Sequence, residues 1–265
     1  MTGMKKLLQI NPVVRCNTST GKIMRELGEM AIASGWESYI AYSKARDGAP
    51  EHSSHLVPVG NKADLAMHAA ATRIMDAHGL ASKQATKRFI QRIWEIDPDI
   101  IHIHNIHGYF LNYPLLCSFL AGWKKPVIWT AHDCWLFTGH CYHYAAVGCM
   151  KWKTGCYDCP QKKAFPASWV FDRSRNNYLD KKKAFTGTLQ VSPLALRVLY
   201  VHADDLVTNY GIEAGKNQNT TFGPSITLNT TWQIWVSILG AVIGGLCWRV
   251  ILYDTALTVF AIFLH

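Results

Sequence analysis

The sequence predicts an α/β protein: a doubly wound parallel sheet with helices on both faces. Two observations predict it. Between residues 6 and 131, short apolar runs alternate with segments of helical periodicity, and such runs read as strands buried on both faces. The 265 residues are 49% hydrophobic and 17% charged, which supplies a sizeable core and excludes a disordered tail protein.

The elements follow in order. Residues 7–10 form the first strand. The cationic start and apolar run imitate a secretory signal, but the run breaks at Asn11-Pro12 and no small-residue cleavage site follows. A cytoplasmic location with reduced thiols is therefore expected. Residues 20–34 read as a helix, with Ile23, Leu27, Met30 and Ala31 on one face and Gly35 as its stop. Strands at 38–42 and 55–59 follow, then helices at 64–78 and 83–96, the latter ended by Asp97-Pro98. A buried strand at 99–104, a short helix at 112–122 and a strand at 126–131 complete the alternation. In such sheets ligands bind beyond the carboxyl ends of the strands. The loops after Ile10, His104 and Ala131 are the places to look.

The first loop, NPVVRCNTSTG, feeds a helix. Its small hydroxyl residues and Gly21 allow close backbone approach, and the helix N-terminus offers free N–H groups to an anion. The plainer reading is an N-cap at Thr18, Ser19 or Thr20. It is neither a GxGxxG fingerprint nor a P-loop. In DIIHIHNIHG, His102 and His104 share one strand face, while Asn105 and His107 lie past its end. Three histidines in six residues admit a metal, but no carboxylate accompanies them locally; rim histidines satisfying local hydrogen bonds are the alternative. His132-Asp133 directly follows a strand, where a histidine can hydrogen-bond a sugar hydroxyl or polarise a reacting group and an aspartate can cap a turn.

Cys141, Cys149, Cys156 and Cys159 are spaced C-x7-C-x6-C-x2-C, with Gly148, Gly155 and Pro160 as turn formers beside them. Four thiolates meet the requirement of a closed tetrahedral zinc site. Unpaired thiols, disulfides or an iron–sulfur cluster are the alternatives, and Cys134, His140 and His143 are substitute ligands. Such a zinc would pin an insertion, not perform chemistry.

The segments NTSTGKIMRELGEMAIASGWESYIAYS, DIIHIHNIHGYFLNYPLL, KKPVIWTAHDCWLFTGHCYHY, GCMKWKTGCYDCPQ and FPASWVFDRSRNNYLDKKKAF carry a resemblance across about residues 4–186. Together they resemble the N-terminal half of bacterial retaining glycosyltransferases of family 4, in the capsular, exopolysaccharide or colanic-acid-like subgroup. The resemblance implies the Rossmann-like, acceptor-side domain of the GT-B architecture. It implies a nucleotide-sugar donor and a glycan or lipid-linked acceptor as partners. It places Ser19, Thr20 and Gly21 near donor phosphates or acceptor. It gives His132 a positioning role beside the transferred sugar, supported by Asp133, and makes Asn105 and His107 acceptor contacts.

The family has a second domain, usually with two glutamates as E-x7-E. After Gly187 only 78 residues remain, with Glu213 as their single glutamate. We therefore expect residues 1–187 to form the family domain and 188–265 an atypical tail, either frame-shifted or membrane-associated. Residues 232–248 carry no charge over 17 positions, about 26 Å as a helix against a hydrocarbon core of about 30 Å. The chain alone is expected to be weak or inactive without a separate donor-binding domain. The rival expectation is a non-catalytic acceptor-binding or scaffold subunit at the inner face of the cell membrane. Lys plus Arg number 27 against 18 Asp plus Glu, a net charge of +9 that suits an anionic partner. No nucleic-acid-reading module is visible, so nucleic acid is not the expected partner.

Overall fold

The computed structural model describes residues 3–14, 19–43, 53–191, 196–200, 220–222 and 226–228. The apolar run at 232–264, and with it the expected membrane segment, lies outside the described residues. Among the described residues no helix is long and apolar enough to cross a membrane.

Strands β1 (Lys6–Ile10), β2 (Glu37–Tyr42), β3 (His55–Pro58), β4 (Ile100–Ile103), β5 (Val127–Ala131) and β6 (Leu196–Tyr200) form one sheet in the order β3-β2-β1-β4-β5-β6. Every neighbouring pair is parallel. The chain reverses its winding direction between β1 and β4, and that switch opens a crevice at the carboxyl ends of these two strands. A separate antiparallel pair, β7 (Thr220–Phe222) and β8 (Ile226–Leu228), lies later in the chain. The core consists of strand residues buried on both faces, such as Leu8, Ile10, Ile101, Ile103 and Val127. This is the continuous apolar patterning of parallel strands.

The helices begin and end for local reasons. Helix α1 (Ser19–Ala33) packs on β1 and β2 and stops at Gly35, whose φ is +78°. At Gly28 the helix approaches so closely that a Cβ would meet the Ser54 and Ser38 hydroxyls. Helix α2 (Lys62–Met75) starts with a reciprocal capping box between Asn61 and Asp64. It ends at Met75, three residues before the end its periodicity suggests, with Asp76 as a buried C-cap in the left-handed region. Helix α3 (Lys83–Ile96) buries Ala85, Phe89, Ile93 and Ile96 as one stripe and stops at left-handed Asp97, before Pro98. Helix α4 (Tyr113–Gly122) is capped by Asn112, whose side chain accepts from the Leu115 N–H.

Between β5 and α5 (Ser174–Val191) the chain forms an insertion of short 3-10 turns at Cys134–Leu136, Tyr144–Val147 and Lys151–Lys153. Aromatic side chains fill it: Trp135 and Trp152 are both almost fully buried. Helix α5 spans residue 187, and β6 beyond it pairs with β5.

Candidate active site

The carboxyl ends of β1, β4 and β5 meet. The N–H groups of His104 and Asn105 both reach the Ile10 carbonyl, at 2.9 and 3.4 Å, so the loop after β4 begins against the end of β1. His102 and His104 share one strand face, their ring centroids 4.1 Å apart. Both rings hydrogen-bond protein groups. His102 Nε2 lies 2.9 Å from the Thr130 hydroxyl on β5. His104 bridges Gln9 and His132.

The partners along that bridge determine its protons. Gln9 Nε2 donates to the Met24 carbonyl at 2.8 Å, so Gln9 Oε1 faces His104 as an acceptor. His104 Nε2, 3.1 Å away, is then the donor. Burial, with His102 and His132 beside it, holds His104 well below the usual histidine range, so the ring is neutral and its Nδ1 accepts. The donor to it is His132 Nε2, at 3.2 Å. Burial lowers His132 to about 4, with Asp133 opposing and His107 adding to the shift. His132 is therefore neutral at pH 7 with a bare Nδ1 lone pair. It is half-buried at the end of β5, where a ligand can reach it.

Asp133 stands beside it in two roles. Its Oδ1 accepts from the Trp135 N–H at 2.9 Å, capping the 3-10 turn. Its Oδ2 lies 2.7 Å from His107 Nε2. Burial opposes the carboxylate charge, but His107 and the Trp135 N–H outweigh it and hold Asp133 below its usual range. The structure thus joins His107 to Asp133 and His132 to His104. Ser19, Thr20 and Gly21 form the first turn of α1, and Asn105 is half-exposed past β4. Topology brings these residues to the same sheet edge. The preceding residues 15–18 lie outside the described residues.

Sequence reasoning missed Gln9, Asn11 and His78. Gln9 sits in an apolar strand but is fully buried, as is Asn11, whose Oδ1 has no described hydrogen-bond partner. A polar residue within a core strand was the available signal for Gln9. His78 is buried against the His107, Tyr109 and Tyr142 rings, and nothing in its local sequence marks it.

The cysteines converge. Cys141, Cys149, Cys156 and Cys159 are free thiols lining one cavity of about 10 Å³, together with His140 and Trp152. The Gly139 N–H donates to Cys156 Sγ at 3.1 Å. Among the described residues, no group of three or more His, Cys, Asp or Glu is placed so that it could hold a metal ion, so the expected four-cysteine zinc site is not shown. Lys151 lies toward the carbonyls of Tyr157 and Asp158. The buried cation near the thiols is Lys181, which donates to the Trp135 carbonyl at 2.7 Å.

Residues 20–173 match Glycosyltransferase Family 4. The chain belongs to glycosyltransferase family 4. Over 188 residues this family 4 chain is 28% identical to an Escherichia coli (strain K12) protein named as a colanic acid biosynthesis glycosyl transferase, WcaC. That alignment covers 68% of this chain and 45% of WcaC, so the chain spans about half the length of its curated relative. A UDP-glucose 4-epimerase from Brucella ovis, solved with NAD, aligns over 74% of this family 4 chain and 51% of its own at 9% identity and a TM-score of 0.37, a likeness too slight to bear on chemistry.

Proposed function

We propose that this chain is the acceptor-facing half of a glycosyltransferase in polysaccharide biosynthesis, moving a sugar from a nucleotide-sugar donor to a glycan or lipid-linked acceptor. The observation that carries the reading is His132: a neutral imidazole at the end of β5 with its tautomer set from behind by His104. Its Nδ1 accepts a hydrogen bond from a sugar hydroxyl and holds the sugar without placing a second positive charge beside a forming oxocarbenium ion. Asp133 and His107 hold the turn that carries it, and Asn105 contacts the acceptor. The first turn of α1, with Ser19, Thr20 and Gly21, faces donor phosphates or acceptor.

The departing diphosphate needs charge stabilisation from a donor-binding half, which we propose is a separate domain or polypeptide. Work on a lipid-linked acceptor places the protein in the cytoplasm, at the inner face of the membrane. The cysteine insertion serves as a brace beside the site, closed by a structural zinc.

The test measures sugar transfer from a panel of nucleotide sugars to lipid-linked and soluble glycan acceptors. It uses the purified chain alone and mixed with the C-terminal half of WcaC. We expect background turnover alone, recovery on mixing, and a loss of about a hundredfold or more in that recovered rate for His132→Ala. Turnover of about 10 s⁻¹ by the chain alone would remove the need for a donor half. No transfer from any donor in the mixture would sink the transferase reading.

A further inference from the structure

Large apolar side chains lie exposed along one strip of the surface. Trp169, Val170 and Phe171 are consecutive, and Trp169 is 64% exposed. The Trp169 N–H donates to the Arg73 carbonyl at 2.6 Å and the Phe171 N–H to the Ile74 carbonyl at 3.1 Å, so this run lies along the end of α2. Ile74 and Met75 are exposed there as well. On the same helix Ala63, Met67, Ala70 and Ile74 recur at i, i+4, i+7 and i+11, and all are exposed. The opposite face, with His68, Ala69 and Thr72, is buried. Helix α2 is thus apolar outward over about three turns, where an ordinary surface helix carries charge. Single exposed apolar residues need no explanation, but a contiguous strip marks an interaction surface.

Two features say what covers it. The backbone of the strip is bonded inward. Besides the two N–H groups, the Val170 carbonyl accepts from Lys162 Nζ at 3.3 Å and the Phe171 carbonyl from Ser168 Oγ at 2.6 Å. These bonds satisfy main-chain polar groups and leave side chains to point outward, which suits entry into an apolar phase. Cations flank the aromatic run. Lys162, Lys163, Arg173 and Arg175 stand on its two sides in the chain against Asp172. The Asp172 carboxylate is itself taken up by the Cys159 and Ser174 N–H groups, at 2.7 and 2.8 Å. The Arg73 guanidinium lies 5.5 Å from the Trp169 ring centroid. Exposed Trp and Phe beside Lys and Arg are the side chains that seat in the headgroup layer of an anionic bilayer.

The strip also reaches the candidate site. Phe165, exposed just before the aromatic run, has its ring centroid 5.8 Å from that of Tyr109 and 5.2 Å from that of Tyr142. Tyr142 in turn lies 4.4 Å from His107, the partner of Asp133. An aromatic path therefore leads from the strip to the end of β5. We propose that this strip, with Met67, Ile74, Phe165, Trp169, Val170 and Phe171, is a docking surface for an anionic lipid bilayer, set so that the headgroup of a lipid-linked acceptor meets the site. Its apolar side chains enter the interface while the flanking cations meet lipid phosphates. The second half of this proposal rests on the lipid-linked acceptor reading above; the bilayer contact stands or falls without it.

The test floats the full chain, without donor or acceptor, on vesicles of phosphatidylcholine alone and on vesicles that also contain phosphatidylglycerol. We expect flotation with the anionic vesicles, weakened by added salt. The double variant Trp169→Gln/Phe171→Gln should bind those vesicles at least about tenfold more weakly, with unchanged circular dichroism, because both rings lose their burial in the interface. Lys163→Glu/Arg175→Glu, which keeps the rings, should weaken the same binding by a similar factor. Undiminished binding by either double variant would overturn the proposal, as would no flotation of the unsubstituted chain. A dimer of the unsubstituted chain that the aromatic variant dissociates, without any flotation, would give the strip to a second copy instead. With a donor half added, the aromatic variant should lose transfer to an acceptor embedded in vesicles and keep transfer to a soluble glycan. Flotation that follows the variants, with no transfer to either acceptor, would sink the transferase reading and leave the bilayer surface standing.

Discussion

At the scale of single residues, the site is a chain of neutral histidines oriented from the core. His104 stands between a glutamine whose own amide is committed elsewhere and a half-buried histidine at the end of β5, so the proton positions follow from the partners. Nitrogen NMR of the imidazoles should find His132 neutral and protonated on Nε2 at pH 7. Replacing His104 by Leu should free that preference, and a spectrum unchanged by the replacement would disprove the relay. A second consequence concerns pH. Burial lowers His68 and His132 to about 4 and His102 to about 3. The unfolded chain holds these rings near 6.5, so it binds more protons than the folded one below that value. Stability from these groups is full above pH 6.5 and falls as pH drops toward 4. Urea midpoints should decline steadily between pH 7 and pH 5, a window above most carboxylate titrations; a flat midpoint there would contradict the neutral cluster.

At the scale of elements, close approach and shared anchors decide the packing. Gly28 lets α1 sit on the hydroxyl pair of Ser38 and Ser54, which are 2.8 Å apart. Gly28→Ala should lower stability by about 1–3 kcal/mol through overpacking, despite alanine's better helix propensity. A gain in thermal midpoint would show that the helix can retreat freely. Asp76 does more. It ends α2, holds His140 and receives the first N–H before α5. Asp76→Ala leaves the buried His140 donor and the part-buried Arg173 N–H unpaired, and we expect a loss of about 3–5 kcal/mol in urea denaturation. A loss under 1 kcal/mol would mean that the three elements dock without it.

At the scale of the whole molecule, the main buried cluster among the described residues runs from Leu8 to Phe185, and β6 joins the sheet at the edge beside β5. A chain ending after Tyr200 should therefore keep the far-ultraviolet circular dichroism of the folded sheet and unfold cooperatively. Its collapse would show that residues beyond 200 complete the core.

Much of this was legible in the residues. Alternating apolar runs and helical stripes specify strands and helices locally, because side-chain period and burial are short-range properties. The helix over Lys83–Ile96 and its stop at Asp97-Pro98 follow from the order of residues alone. So does the placement of His132 and Asp133 just past a strand. The early end of α2 was not legible, since Asp76 is pulled into the left-handed region by His140, 64 positions away in sequence. Nor were the pairing of Gln9 with His104 across 95 positions and that of His107 with Asp133 across 26. Sequence periodicity determined which segments are strands, which are helices and which loops follow the carboxyl ends of the strands. Tertiary structure decided which polar atoms are paired, which proton each histidine carries and which buried oxygen is left over, because those depend on contacts between residues distant in the chain and on water being excluded from them.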